Sequence, residues 1–171
     1  WLAPILVFTS EEVWQARHGP GADSVHLQLW PETPADWRDD ALADKWSRVR
    51  RFRRVVTGAL EGERRAKTIG ASLQAAPRVH VTDPAIQTAI ADLDLAEICI
   101  TSGMTVTGDP APDDAFRLDE VSGVAVVPAL AEGEKCARCW MILPEVGRHP
   151  DYPDLCGRCA DAVAQMDGRA A

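Results

Sequence analysis

Apolar residues recur at helical spacing through one long stretch of the chain and alternate or cluster elsewhere. Between residue 36 or 40 and about residue 67, Trp46, Val49, Phe52 or Arg53, Val56 and Leu60 return every three or four positions. That period places side chains on one face of an α-helix, so the stripe predicts a single long amphipathic helix. Gly58 and Gly62 fall inside it; each lowers helix propensity by about 1 kcal/mol, which points to a bend or a close contact there. Ahead of it, residues 1–8 are apolar around Pro4 and read as a helix end and a turn packed on a core. Thr9-Ser-Glu-Glu12 has the form of a capping box, with Thr9 as cap and Glu12 reaching back. The helix it would open carries Val13 and Trp14 and stops by Gly19-Pro20-Gly21. Ser24 to Trp30 alternates briefly before Pro31 and predicts a short extended segment.

After Gln74 the pattern turns to alternation. Residues 78–82 read as a strand, and Asp83-Pro84 opens a helix that includes Ile86 and Ile90 and ends near Asp94. Ile98-Cys99-Ile100 with Thr101 reads as a second strand, and residues 124–127 as a third. Strand, helix, strand predicts a small α/β unit. Cys99 has no cysteine neighbour and reads as a buried apolar filler. The proline-bearing polar loop at 108–114 is expected to be mobile and the tail at 165–171 frayed.

Composition narrows the classes. The chain has 171 residues, six tryptophans and a formal charge of −8, enough for one good core or a medium domain with a small stapled one. No apolar run approaches bilayer length and no secretory pattern opens the chain. Trp1 begins inside an apolar stretch without an initiator Met, as in a piece of a longer protein. An acidic chain argues against general nucleic-acid binding, but the basic charge is local. Nine Lys and Arg stand against two Glu between residues 45 and 67. On a helical wheel Arg50, Arg51, Arg54 and Arg65 gather away from the apolar stripe, as a phosphate track or as a solvated face.

Of five cysteines, all but Cys99 carry the chemistry. Four form Cys136-Ala-Arg-Cys139 and, sixteen residues on, Cys156-Gly-Arg-Cys159. Two such knuckles supply the four soft donors of a tetrahedral Zn²⁺ and leave no open position, so the site is structural rather than hydrolytic. Two disulfides, or iron in the same cage, are the alternatives; an odd cysteine count without a signal peptide favours a reducing compartment. His149 lies between the pairs and His26 stands alone; neither is needed as a ligand. Lys135, Arg138 and Arg158 flank the turns, and Trp140 is either the core of the finger or a surface on which a base stacks.

Lys135-Cys136-Ala-Arg138-Cys139-Trp140, Pro144-Glu145-Val146-Gly147 and Tyr152-Pro153-Asp154-Leu155-Cys156-Gly157-Arg158-Cys159 resemble the C-terminal zinc finger of bacterial isoleucyl-tRNA synthetases. DNA glycosylases of the formamidopyrimidine type carry a similar finger. The upstream segment Leu60-Glu61-Gly-Glu63-Arg64-Arg65-Ala-Lys67-Thr-Ile69-Gly70-Ala-Ser72-Leu73-Gln74-Ala75, the opening Leu2-Ala-Pro4 through Glu12-Val-Trp14, and Ser24-Val-His-Leu27 with Trp30-Pro31 resemble the anticodon-binding helical domain of the synthetases, which the glycosylases lack. The resemblance implies a mixed fold: an α-helical bundle segment over 1–75, a small α/β unit over 76–130 and a zinc finger of treble-cysteine-knuckle type over 131–171. It also implies a tRNA-binding part of a cytoplasmic, monomeric enzyme that joins isoleucine to its tRNA with ATP, the ATP site lying elsewhere in the parent. Neither of the nucleotide-binding signatures of that class nor a nucleophile–base pair occurs here. RNA contacts are expected from Arg50, Arg51, Arg54, Arg64, Arg65, Lys67, Lys135, Arg138, Trp140 and Arg158, and the metal ligands are Cys136, Cys139, Cys156 and Cys159. A glycosylase finger or a protein-interaction zinc module is the alternative.

Overall fold

The computed structural model describes residues 1–166 and 168. The chain divides into two compact units, Trp1–Asp40 and Ala41–Ala171. The first holds helix α1 (Val7–His18) and two single 3₁₀ turns, Val25–Leu27 and Ala35–Trp37. The capping box is not formed. Backbone bonds from Leu6 N to Leu2 O and from Ser10 N to Leu6 O start the helix earlier, so Thr9 is already inside it. Glu11, rather than Glu12, does the local work: its carboxylate accepts from Ser24 Oγ (2.8 Å) and Val25 N (2.9 Å). Those bonds and the Ser24 side chain, which accepts from His26 N, curl the expected extended segment into a 3₁₀ turn. Rather than being packed away, Phe8 is 88% exposed, and Trp1, Leu2 and Ile5 are open too.

In the second unit the long helix is present as α2 (Asp40–Arg65). Its buried residues are Val49, Phe52, Val55, Val56, Ala59 and Leu60. Trp46 is exposed and Phe52, not Arg53, occupies the stripe. A four-stranded sheet in the order β2-β1-β4-β3 lies in the same core, built from β1 (Arg78–Val81), β2 (Thr105–Thr107), β3 (Phe116–Leu118) and β4 (Val121–Val127). β1 runs parallel to β2 and antiparallel to β4, with Val79 opposite Val126 and Val81 opposite Val124. Those four valines, Phe52 and Leu60 of α2 and Ile86 and Ile90 of α3 (Pro84–Ile90) make one buried cluster. A side chain at Gly58 would come within 3.0 Å of the Phe116 ring, so that glycine lets β3 approach α2; Gly62 faces open space.

The segment expected as a second strand is instead helix α4 (Leu95–Cys99). The Asp94 side chain accepts from Glu97 N at 3.0 Å and caps it, and Ile100 ends it in the left-handed region (φ 58). Burial of Cys99 in the main core decides the outcome over the strand preference of two isoleucines. The second strand in chain order is instead β2, parallel to β1 and, at three residues, too short to show a period. The 108–114 loop, expected to be mobile, is laced down: Arg117 donates to the carbonyl oxygens of Ala111, Pro112, Asp113 and Ala115, and Asp109 O lies 3.1 Å from His80 Nδ1.

The chain ends in a two-stranded ribbon, β5 (Glu134–Lys135) and β6 (Ile142–Leu143), and helix α5 (Gly157–Met166). Gln165 and Met166 complete that helix, and the rest of the tail expected to fray, Asp167 and 169–171 with it, lies outside the described residues apart from Gly168. Among the described residues the architecture is therefore mixed α/β, with five helices, two small sheets and a cysteine cluster near the end. Among the described residues no helix is long and apolar enough to cross a membrane.

Candidate metal centre and nucleic-acid interface

The ribbon turn carries Cys136 and Cys139. Cys136 N donates to Met141 O (2.9 Å) and Trp140 N to Cys136 O (2.9 Å), which folds the first knuckle back on itself. Gly133 (φ 117) opens the ribbon; a Cβ there would run into the Leu143 and Pro144 backbone. The second knuckle forms as α5 begins, so Cys156 precedes the helix and Cys159 sits in its first turn, where the dipole favours a thiolate. Cys156 N reaches across to Cys136 Sγ at 3.3 Å. Val146, Leu155 and Ala160 form a small core beneath, with Leu143, Tyr152 and Val163 against it.

The four sulfurs lie within 4.8 Å of one another, and Cys139 Sγ and Cys156 Sγ are 3.7 Å apart. A tetrahedral metal with M–S bonds of about 2.3 Å requires sulfurs roughly 3.8 Å apart. The donor set is of the right number, kind and closeness for such an ion, and the five cysteines are free rather than bridged. Burial pushes the Cys136 thiol up, but backbone N–H groups of Cys139, Cys156 and Arg138 outweigh it and bring its pKa down to about 6. Burial pushes the Cys156 thiol up to about 12, and the hydrogen bonds that its S–H donates to the neighbouring sulfurs of Cys159, Cys139 and Cys136 add to it. A ready thiolate at Cys136 beside a Cys156 that gives up its proton to the metal is the chemistry of a cysteine-only site. His149 is not in this cluster; its Nδ1 accepts from Tyr152 N at 3.2 Å. His26 lies at the surface with Nε2 3.1 Å from Val7 O. Cys99, buried in the main core, has its pKa raised to about 11 by desolvation.

The cations expected to face RNA separate into two kinds. Arg50, Arg51 and Arg54 are exposed on α2, and their guanidinium groups have no hydrogen-bond or ion-pair partner among the described residues. Arg65 and Lys67 are exposed, with Arg65 Nε bonded to Glu61 O at 3.3 Å and Lys67 in the left-handed region (φ 63). Arg64 is half-buried, pairs with Glu61 and donates to Ser72 Oγ at 3.0 Å, so it braces the turn after α2. Lys45 and Arg53 are likewise engaged, with Asp92 (2.7 Å) and Ile98 O (2.8 Å). On the finger, Arg138 Nη1 lies 3.6 Å from Cys159 Sγ and Arg158 lies 3.9 Å from Met141 Sδ. A hydrogen bond with Cys139 raises the Arg158 pKa further. Trp140 is not the core of the finger: it is 61% exposed, in the left-handed region (φ 67), with Lys135 Nζ 5.2 Å from its ring centroid. Ser102 carried no sequence signal, yet it is buried and accepts a hydrogen bond from Ile142 N of β6 at 2.7 Å.

Known proteins are similar to this chain in two segments and across nearly its whole length. Residues 1–80 match the model of the anticodon-binding domain of tRNA ligases, and residues 133–162 match the zinc finger found in FPG and IleRS. The isoleucine--tRNA ligase of Agrobacterium fabrum is 55% identical over 166 residues, 97% of this chain. Over nearly all of its length the chain is similar to isoleucine--tRNA ligases. The ligase of Ruegeria pomeroyi is 58% identical over 95% of the chain, and that of Bartonella quintana 50% over 97%. In each case the chain spans 17% of the relative's own length. The anticodon-binding match upstream favours the tRNA-ligase reading over that of a glycosylase finger.

Proposed function

We propose that this chain is the C-terminal tRNA-binding part of an isoleucine--tRNA ligase that joins isoleucine to its tRNA at the expense of ATP in the cytoplasm. The observation that carries the reading is the pairing of an anticodon-binding match over residues 1–80 with a partner-free arginine row on α2 inside that match. Residues 1–75 are then the distal end of the anticodon-binding domain, 76–130 a bracing α/β unit, and 131–171 the finger. Arg50, Arg51 and Arg54 present always-charged forks to phosphate oxygens, with Arg65 and Lys67 extending the row. Arg64 acts through the turn that it holds. Lys135 and Trp140 offer a cation and an aromatic face to a splayed nucleotide, while Arg138 and Arg158 divide their charge between RNA and the cysteine sulfurs.

The metal at the cysteine cage is a single structural Zn²⁺, held by Cys136, Cys139, Cys156 and Cys159; it supplies a cross-link for a finger too small to hold itself together. The chain contributes no catalytic group. Its work is to hold the anticodon arm while the acceptor end reaches the active site of the parent. The test is binding of the zinc-loaded chain to isoleucine tRNA and to one non-cognate tRNA across a salt series. Preference for the cognate with affinity falling steeply as salt rises is the expected result. Equal binding of both, or none at low salt, would remove tRNA selection from this chain.

A further inference from the structure

The ribbon that carries the first knuckle is tied to the sheet unit through one buried hydroxyl. Ser102 is 6% exposed and sits after α4, remote in sequence from both elements that it joins. Its Oγ donates to Leu73 O at 2.5 Å and accepts from Ile142 N of β6 at 2.7 Å, and its own N–H donates to Ala75 O at 3.0 Å. Leu73 lies in the turn at Ser72–Gln74 that follows α2. The same turn is gripped by Arg64 through Ser72 Oγ and from the ribbon side by Ala131 N, which donates to Gln74 O at 2.8 Å. Ser102 thus uses donor and acceptor capacity at once, each satisfied by backbone of a different element.

We infer that Ser102 is a positioning residue for tRNA binding: its hydroxyl fixes the β6 backbone, and with it the finger cations, relative to the turn that follows the basic helix. The inference rests on the proposed tRNA-binding role. Two cation-bearing elements grip one polyanion well only if their spacing is set beforehand, because a hinge between them must be ordered at the moment of binding. A hydroxyl between two backbone groups sets that spacing without touching RNA or metal. Its loss leaves Ile142 N and Leu73 O without their partner, an expensive state for buried backbone groups, so the ribbon shifts to find others. The four cysteines, which close their own cage, keep the metal.

The experiment compares the zinc-loaded wild-type chain, Ser102→Ala and Ser102→Thr for isoleucine-tRNA affinity over a salt series, with zinc affinity measured in parallel. Ser102→Ala should bind tRNA about tenfold more weakly, a factor equivalent to roughly 1.4 kcal/mol, with a shallower salt slope as the finger cations disengage. Its zinc affinity should stay within about threefold of the wild type, because no ligand or ligand-bonded group is removed. Ser102→Thr, which keeps the hydroxyl, should restore both affinity and slope. A wild-type chain that binds tRNA and an Ala variant with the same affinity and slope would overturn the positioning role alone. A wild-type chain that does not bind tRNA would overturn that role together with the proposed function. Should Ser102→Ala fail to fold, hydrogen exchange at the Ile142 amide of the wild type decides the point. Slower exchange with tRNA bound supports the role, and unchanged exchange overturns it.

Discussion

At Cys136 three backbone N–H groups converge on one sulfur and hold its pKa at about 6, while burial holds Cys156 near 12. The consequence is a proton-coupled metal site. A metal displaces protons from thiols that are neutral in its absence, so apparent affinity should fall as pH falls from 8 to 6, by about tenfold per unit for each proton displaced. Competition with a chromophoric chelator at several pH values measures this, and a flat profile would contradict it. Replacing a ligand is harsher: Cys136→Ser or Cys156→Ser should weaken metal binding by more than the roughly 10–100-fold that accompanies loss of a supporting group. Trp140 fluorescence and metal content report it together. Cys99 behaves in the opposite way. It is 2% exposed with a pKa raised to about 11, so it should resist alkylation in the folded chain and react only on unfolding, as mass spectrometry would show.

At the scale of the element, α2 divides its basic residues between two tasks, and substitution separates them. Arg50→Ala or Arg54→Ala removes an exposed group without a partner among the described residues. Stability should change by no more than about 0.5 kcal/mol, while the salt slope of tRNA binding should drop by about 1 for each. Arg64→Ala cuts the bond to Ser72 and the pairing with Glu61; it should lower thermal stability as well as binding. The short helices depend on their caps. The Asp83 carboxylate accepts from Ala85 N and Ile86 N, so Asp83→Ala should destabilise the chain by about 1 kcal/mol in urea unfolding.

At the scale of the molecule the division of labour is open to direct test in the parent enzyme. If the proposed role holds, removing the metal from the finger should weaken tRNA charging while leaving isoleucine activation by ATP little changed, because that role is to hold the tRNA rather than to activate the amino acid. If activation fell as far as charging, the separation of roles would be wrong. Gly133→Ala offers a metal-independent route to the same result. Its Cβ would meet the Leu143 and Pro144 backbone at a left-handed position, so the ribbon should open and tRNA affinity should fall while α2 and the sheet remain folded.

Local spacing is what the sequence determined. Two Cys-x-x-Cys pairs need only a turn each to aim their sulfurs, so the cage was legible before any fold was known, as were α2 and the Asp83-capped helix. Whole-chain packing decided the rest. Ile98-Cys99-Ile100 has strand-forming residues, yet the core buries Cys99 from the end of a helix. Thr9 has the chemistry of a cap, but backbone carbonyls upstream reached its turn first. Trp140 looked like the natural core of a small finger until Val146, Leu155 and Ala160 filled that space and left it outside. Ser102 is one serine among several in the sequence; only the fold brings Leu73 and Ile142 to the same hydroxyl. Contacts between residues far apart in the chain leave no periodic trace in the sequence, and those contacts set which cations are free and how the finger is held.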